Sequence, residues 1–161
     1  MSENVKLIFL FLPVLVLILL IGLASNFKTF FQGERPYVLI NDQRIYVEIA
    51  DSFEERKQGL SGRESLDSDK GVLFIYPEPG SYSFWMKEMK FNLDFVFIND
   101  QEVVDLKENI PFPQEGEEPQ IIKAEAEFDK ALEVNQGIIK EIDIEVGDEV
   151  IIPFKPFPLM K

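Results

Sequence analysis

The chain has 161 residues and a formal charge of −13, from 16 basic and 29 acidic residues. So acidic a body repels nucleic acid and anionic lipid headgroups, and no nucleic-acid partner is expected. Cysteine and histidine are both absent, which excludes disulfides, thiol nucleophiles, Ser-His-Asp and Cys-His machinery and nearly every zinc site.

Residues 1–6 form a short N-terminal tail. Residues 7–24, LIFLFLPVLVLILLIGLA, are an uncharged apolar run, long enough to cross a bilayer if the helix extends slightly at either end. The run reads as a transmembrane signal anchor, or as a signal peptide with Gly22 and Ala24 at signal-peptidase spacing. The membrane is therefore the expected partner of residues 7–24. The domain behind them is expected on the extracytoplasmic side, tethered if the run is retained and secreted if it is cleaved. Lys6 before the run and Lys28 and Arg35 after it nearly balance, so charge alone sets no orientation. Residues 25–34 read as a juxtamembrane linker. There Phe27, Phe30, Phe31 and Lys28 suit either the lipid interface or a first strand.

Residues 35–154 read as one globular domain built of short strands. Strands 37–40 and 44–50 are joined by the turn Asn41-Asp42-Gln43. Ser52 and Glu55 stand in capping-box spacing at the start of a short helix, and Gly59 ends it. On that helix Phe53 and Leu60 share a face, flanked by Arg56 and Lys57. Strand 71–76 and the turn Pro77-Glu78-Pro79-Gly80 lead into residues 81–98, SYSFWMKEMKFNLDFVFI. These read as a central aromatic hairpin. Alternation puts Tyr82, Phe84 and Met86 on one face and Ser83, Trp85 and Lys87 on the other. Likewise Leu93, Phe95 and Phe97 oppose Asp94, Val96 and Ile98. Strand 102–110, the acidic proline-rich loop 111–119, strands 121–127 and 130–134, a short helical turn capped by Asn135 and running to Ile142, and a last strand 149–154 complete the domain. Residues 155–161 are an extended C-terminal tail. The pattern predicts a mainly β fold with short helices (α+β): a compact small β-barrel or sandwich behind an N-terminal transmembrane or signal segment.

Two acidic clusters invite a metal reading and fail it. The loop from Asp67 has Glu78 at the twelfth position of a calcium loop, but Gly71 occupies a ligand position and Val72 the position that must be glycine. Glu125, Glu127 and Asp129 alternate onto one strand face, as a solvated edge does. No metal or other cofactor is expected. Arg56, Arg63, Trp85, Lys87, Asp94 and Glu133 are polar or aromatic residues set in otherwise apolar or turn-like segments. They are the candidate ligand-binding residues: Trp85 offers a stacking face, Arg56 or Arg63 binds an anion, and Asp94 or Glu133 orients the ligand. The competing reading is one or two partly buried ion pairs pinning helix to hairpin. Asp94 is predicted to meet Arg56, Arg63 or Lys87 at a cleft beside Trp85.

These segments carry a resemblance. VEIADSFEERKQGL (47–60), GRESL (62–66), residues 71–74, FWMK (84–87), residues 93–98, residues 130–133 and Val146-Gly147-Asp148 resemble, in order and spacing, the uncharacterised family called domain of unknown function 192. The resemblance spans about residues 37–154. It implies a compact strand-rich domain, often behind an export signal or anchor, and supplies no reaction. The chain departs from the family pattern at Ser61, where methionine is usual, at Glu88-Met89 in place of Asn-Thr, and at Asn92 in place of proline.

The leading expectation is a membrane-tethered or secreted binding or interaction domain, for a small molecule or a protein, with no catalytic residue assigned. One alternative is a carboxylate-based hydrolase of cell-wall glycan using Asp94 and Glu133. Another is a structural subunit of a membrane complex.

Overall fold

A computed structural model describes residues 35–154. The expected anchor 7–24, the linker 25–34 and the tail 155–161 lie outside the described residues. Among the described residues no helix is long and apolar enough to cross a membrane.

The fold is mainly β with two short helices. In chain order the elements are β1 (Tyr37–Ile40), β2 (Gln43–Ala50), α1 (Phe53–Gln58), β3 (Lys70–Gly80), β4 (Ser83–Trp85), β5 (Leu93–Asn99), β6 (Glu102–Ile110), β7 (Ile121–Lys123), β8 (Phe128–Asn135), α2 (Ile138–Glu141) and β9 (Val150–Ile151). Seven strands form one sheet in the order β6-β5-β8-β3-β2-β1-β9, and β4 and β7 form a separate ribbon. The sheet curls until its edges meet. Glu102 of β6 bridges Glu149 beside β9, and the Val150 N–H donates to the Gln101 carbonyl at 2.8 Å. Such closure leaves few unpaired strand edges at that end.

Local chemistry accounts for much of this. Asn41 and Asp42 both take positive φ (51° and 60°), the two-residue hairpin geometry that these side chains tolerate best. Ser52 and Glu55 form the capping box at the start of α1. The β2–β3 pair is parallel, so the chain must cross over between them, and the crossover carries α1 onto one face of the sheet.

Both faces of the sheet are covered, which explains the near-continuous apolar runs of β3 and β5. One face packs Leu73 and Ile75 of β3, Val96 and Ile98 of β5, and Leu132 and Val134 of β8 against Ile139, Ile144 and Val150. The opposite face packs Val72, Phe74, Leu93, Phe95, Phe97 and Ala131 against Leu60, Phe84, Met86 and Phe128. The expected alternation in 93–98 is the partition seen.

Four expectations are corrected. Residues 81–98 are not a hairpin: β4 pairs with β7, while β5 pairs with β6 and β8. The bend is too long for a tight turn, and it hands the chain from the ribbon to the main sheet. Residues 77–80 continue β3, with a register shift against β8, where a turn was expected. Strand β7 ends at Lys123, so Glu125, Glu127 and Asp129 do not form one strand face; Asp129 instead pairs with Lys130 at 2.7 Å. Asn135 does not cap α2, whose N-cap is Gly137. The Asn135 amide donates to the carbonyls of Leu66 and Asp67.

Candidate functional site

Strand β8 lies at the centre of the sheet, between β5 and β3. Its Glu133 stands opposite Val72 of β3 and Phe95 of β5. Alternation therefore aims it at the face covered by α1 and the β4–β7 ribbon. Between α1 and β4 that cover leaves a cleft of about 630 Å³, within the range of small-molecule sites. Its walls are Phe53, Leu60, Phe74, Tyr76, Phe84, Trp85 and Met89, with Arg56, Lys57 and Ile121 around them and Glu133 set among them.

The aromatic wall is ordered by ring contacts. Tyr76 stacks on Tyr82 with centroids 3.7 Å apart, and Phe84 meets Phe74 edge to face at 5.1 Å. Such pairs hold ring positions beyond what burial alone does. At the rim, Phe53 is 68% exposed, Ile121 64% and Trp85 48%. The face expected to hold Phe53 and Leu60 is thus divided, with Leu60 buried below and Phe53 left at the mouth.

Glu133 is 5% exposed and makes no hydrogen bond to any described residue; its carboxyl retains contact with the cleft. Burial pushes its pKa up to about 8, and the attraction of Arg63 only partly offsets this. Gly59, at the end of α1, keeps the approach to the carboxyl open. Its φ of 46° favours glycine, and a Cβ there would lie 3.0 Å from the Phe74 ring and 3.8 Å from Glu133 Oε2.

The two arginines are committed elsewhere. Arg63 donates from Nη1 and Nη2 to the two carboxylate oxygens of Glu48, both at 2.7 Å. This pair lowers the Glu48 pKa and raises that of Arg63. Arg56 donates to the main-chain carbonyls of Asp51 and Ile75 and lies over the Tyr76 ring at 5.1 Å. Lys87 lies over Trp85 at 5.6 Å, with Glu88 3.7 Å away.

Of the six candidate residues, Arg56, Trp85 and Glu133 line the cleft. Arg63 and Lys87 flank it without lining it. Asp94 is elsewhere, and its predicted partnership with Arg56, Arg63 or Lys87 does not occur. It is 1% exposed, on the face of β5 that turns away from the cleft. Its carboxyl accepts the N–H groups of Asn109 (2.8 Å), Gly137 (2.8 Å) and Ile139 (3.1 Å). Two of those donors belong to the free N–H groups at the start of α2, which an acidic oxygen satisfies well. Asp94 and Glu133 therefore do not face one another across a gap, as a two-carboxylate hydrolase requires. Among the described residues no group of three acidic side chains is arranged to hold a metal ion.

The sequence reading did not single out Tyr76, Phe74, Met89 or Gly59 as cleft residues. The parity of Val72, Phe74 and Tyr76 along β3 was the available signal. Two of the positions at which the chain departs from the family pattern, Ser61 and Met89, line the cleft. The Ser61 hydroxyl donates to the Lys87 carbonyl at 2.8 Å, tying the loop after α1 to the bend after β4.

The chain belongs to the uncharacterised family DUF192, described as Uncharacterized ACR, whose model matches residues 37–152. No curated protein matches it. Two crystal structures are similar. One, from Sinorhizobium meliloti, is described as a candidate transcription regulator. It is 27% identical, with a TM-score of 0.65, covering 73% of this chain and 92% of its own. The other is a protein of unknown function from Novosphingobium aromaticivorans. It is 25% identical, with a TM-score of 0.64, covering 71% of this chain and 83% of its own.

Proposed function

We propose that this protein is a small-molecule-binding domain, tethered to a membrane by residues 7–24 and facing the extracytoplasmic side, whose ligand occupies the cleft beside Trp85. One observation carries the binding reading: a carboxyl 5% exposed, with no hydrogen-bond partner among the described residues, set in an aromatic cleft open to the outside. A carboxyl in so apolar a setting loses hydration at a cost in stability, and a ligand donor that reaches it through the cleft offsets that cost. The exposed apolar side chains at the rim add apolar surface for a ligand to cover. The tether rests on the uncharged run of the sequence.

The regulator description of the Sinorhizobium protein brings nucleic acid into consideration. With 29 acidic against 16 basic residues, this chain supplies little of the phosphate neutralisation on which such binding depends.

Mass spectrometry of small molecules released from the full-length protein, purified from its native membrane, tests the reading. A bound compound should be recovered from the wild type and lost in a Ser83→Phe variant: Ser83 lines the cleft beside Trp85, so the substitution adds bulk there while leaving Glu133 in place. Equal recovery from both proteins, or none from either, contradicts it.

A further inference from the structure

We infer that the ligand of this cleft carries a cationic nitrogen, a protonated amine attached to an apolar body, and that the nitrogen binds the Glu133 carboxyl. The inference rests on the binding role proposed above and names the ligand's chemistry. It follows from how the charges at the site are spent. Arg63 is held by both oxygens of Glu48. Arg56 is held by two main-chain carbonyls. Neither donates a hydrogen bond to Glu133 or forms an ion pair with it, and these bonds hold each guanidinium away from the carboxyl. Lys57 also lines the cleft but is exposed to solvent; among the described charged residues of the lining, the one that is buried and has neither a hydrogen bond nor an ion pair is the acid. A carboxylate in a water-poor cleft is complemented best by a charge-assisted N–H donor.

The surroundings favour the same sign. Aromatic ring faces attract cations, and two of this site already hold them: Arg56 over Tyr76 and Lys87 over Trp85. The whole chain carries −13, which concentrates cations near its surface. The cleft is larger than an ammonium group needs, so the remaining volume takes the apolar part of the molecule, against Leu60, Phe74 and Phe84.

Trp85 is the only tryptophan and lines the cleft, so its emission reports occupancy. The test titrates the full-length protein, in detergent at pH 7.5, with three soluble probes of matched shape that do not absorb with tryptophan. These are cyclohexylmethylamine, cyclohexylmethanol and cyclohexanecarboxylate. The amine should bind at least roughly tenfold more tightly than the other two, and Glu133→Gln should reduce it to the level of the alcohol. Alcohol or carboxylate binding as tightly as the amine overturns the inference while leaving the cleft as a binding site. So does an amine preference that survives Glu133→Gln. Failure of all three probes to move the emission of the folded wild type overturns the binding role itself. A thermal melt checks the variant; if Glu133→Gln does not fold, the ranking of the three probes on the wild type decides alone.

Discussion

Asp94 and Glu133 occupy neighbouring strands of one sheet and point to opposite faces of it. Asp94 stands opposite Val134, and Glu133 opposite Phe95. One carboxyl is saturated by three backbone N–H groups. The other has no hydrogen bond to a described residue and opens into a cleft. Two acids in similar apolar runs thus have unlike surroundings, one bonded into the fold and one facing an open cleft.

The sign of the pH dependence follows from Glu133. Unfolded, its carboxyl titrates near 4.5; folded, it titrates at about 8 because burial disfavours the charged form. Between those values the folded chain holds a proton that the unfolded chain has lost. This contribution to stability is complete below pH 4.5, falls as pH rises to about 8, and is level beyond, a total of roughly 5 kcal/mol. Glu48 and Asp67 have lowered pKa values and act in the opposite sense, losing their contribution only in more acid solution. Urea melts at pH 5, 6.5 and 8 should show the decline in the wild type and a much flatter profile in Glu133→Gln. Parallel profiles would contradict the assignment.

Asp94→Ala removes the acceptor of three N–H groups in a site closed to water. It should destabilise by roughly 3–5 kcal/mol while leaving probe binding at the cleft unchanged once the protein is folded. Asp94→Asn keeps one acceptor oxygen but turns its amide toward backbone donors, so it should recover only part of the loss. A thermal-melt series on both variants measures this. A near-neutral Asp94→Ala would mean that the contacts to Asn109, Gly137 and Ile139 are dispensable.

Phe84 and Trp85 are adjacent in β4 and separate core from site. Phe84 is 7% exposed and Trp85 48%. Phe84→Ala should cost about 3–5 kcal/mol. Trp85→Ala should cost markedly less and should abolish or weaken amine binding, followed by calorimetry because the fluorescent reporter is gone. Equal large losses of stability would make Trp85 a core residue.

Export is tested on intact cells. Protease added outside should cleave residues 35–154 before lysis, and full-length protein should sediment with membranes. Protection until lysis would contradict an extracytoplasmic domain. A mature amino terminus at Ser25 would convert the tether to a cleaved signal.

Local chemistry was legible in the residues, and long-range choice was not. The alternation of 93–98, the capping box at Ser52 and Glu55, and the turn at Asn41-Asp42 each depend on neighbours in the chain, and each stands as read. The partner of β4 does not. Residues 83–85 and 93–98 resemble two arms of a hairpin, yet Ile121, Ile122 and Lys123 supply the pairing. That competition is decided by packing across distant segments. The site divides in the same way. Glu133 stood out as an acid in an apolar strand, and Trp85 as an aromatic on the outer face. That Glu133 lacks a cation was hidden because Arg56 and Arg63 looked available. Glu48, on a strand far earlier in the chain, takes one, and main-chain carbonyls take the other. Asp94 was misplaced because an apolar strand face does not say whether its partners are side chains or the N–H groups of a helix start.

The central claim is that Glu133 is a buried carboxyl left free for a ligand. Its own titration tests this most directly, by NMR of protein labelled with carbon-13 at the glutamate carboxyls, with Glu133→Gln assigning the signal. One glutamate should titrate at about pH 8, far above the rest, and its midpoint should fall when cyclohexylmethylamine is added, because the bound ammonium favours the ionised form. A Glu133 signal that titrates with the other glutamates and does not move with the amine would contradict the account.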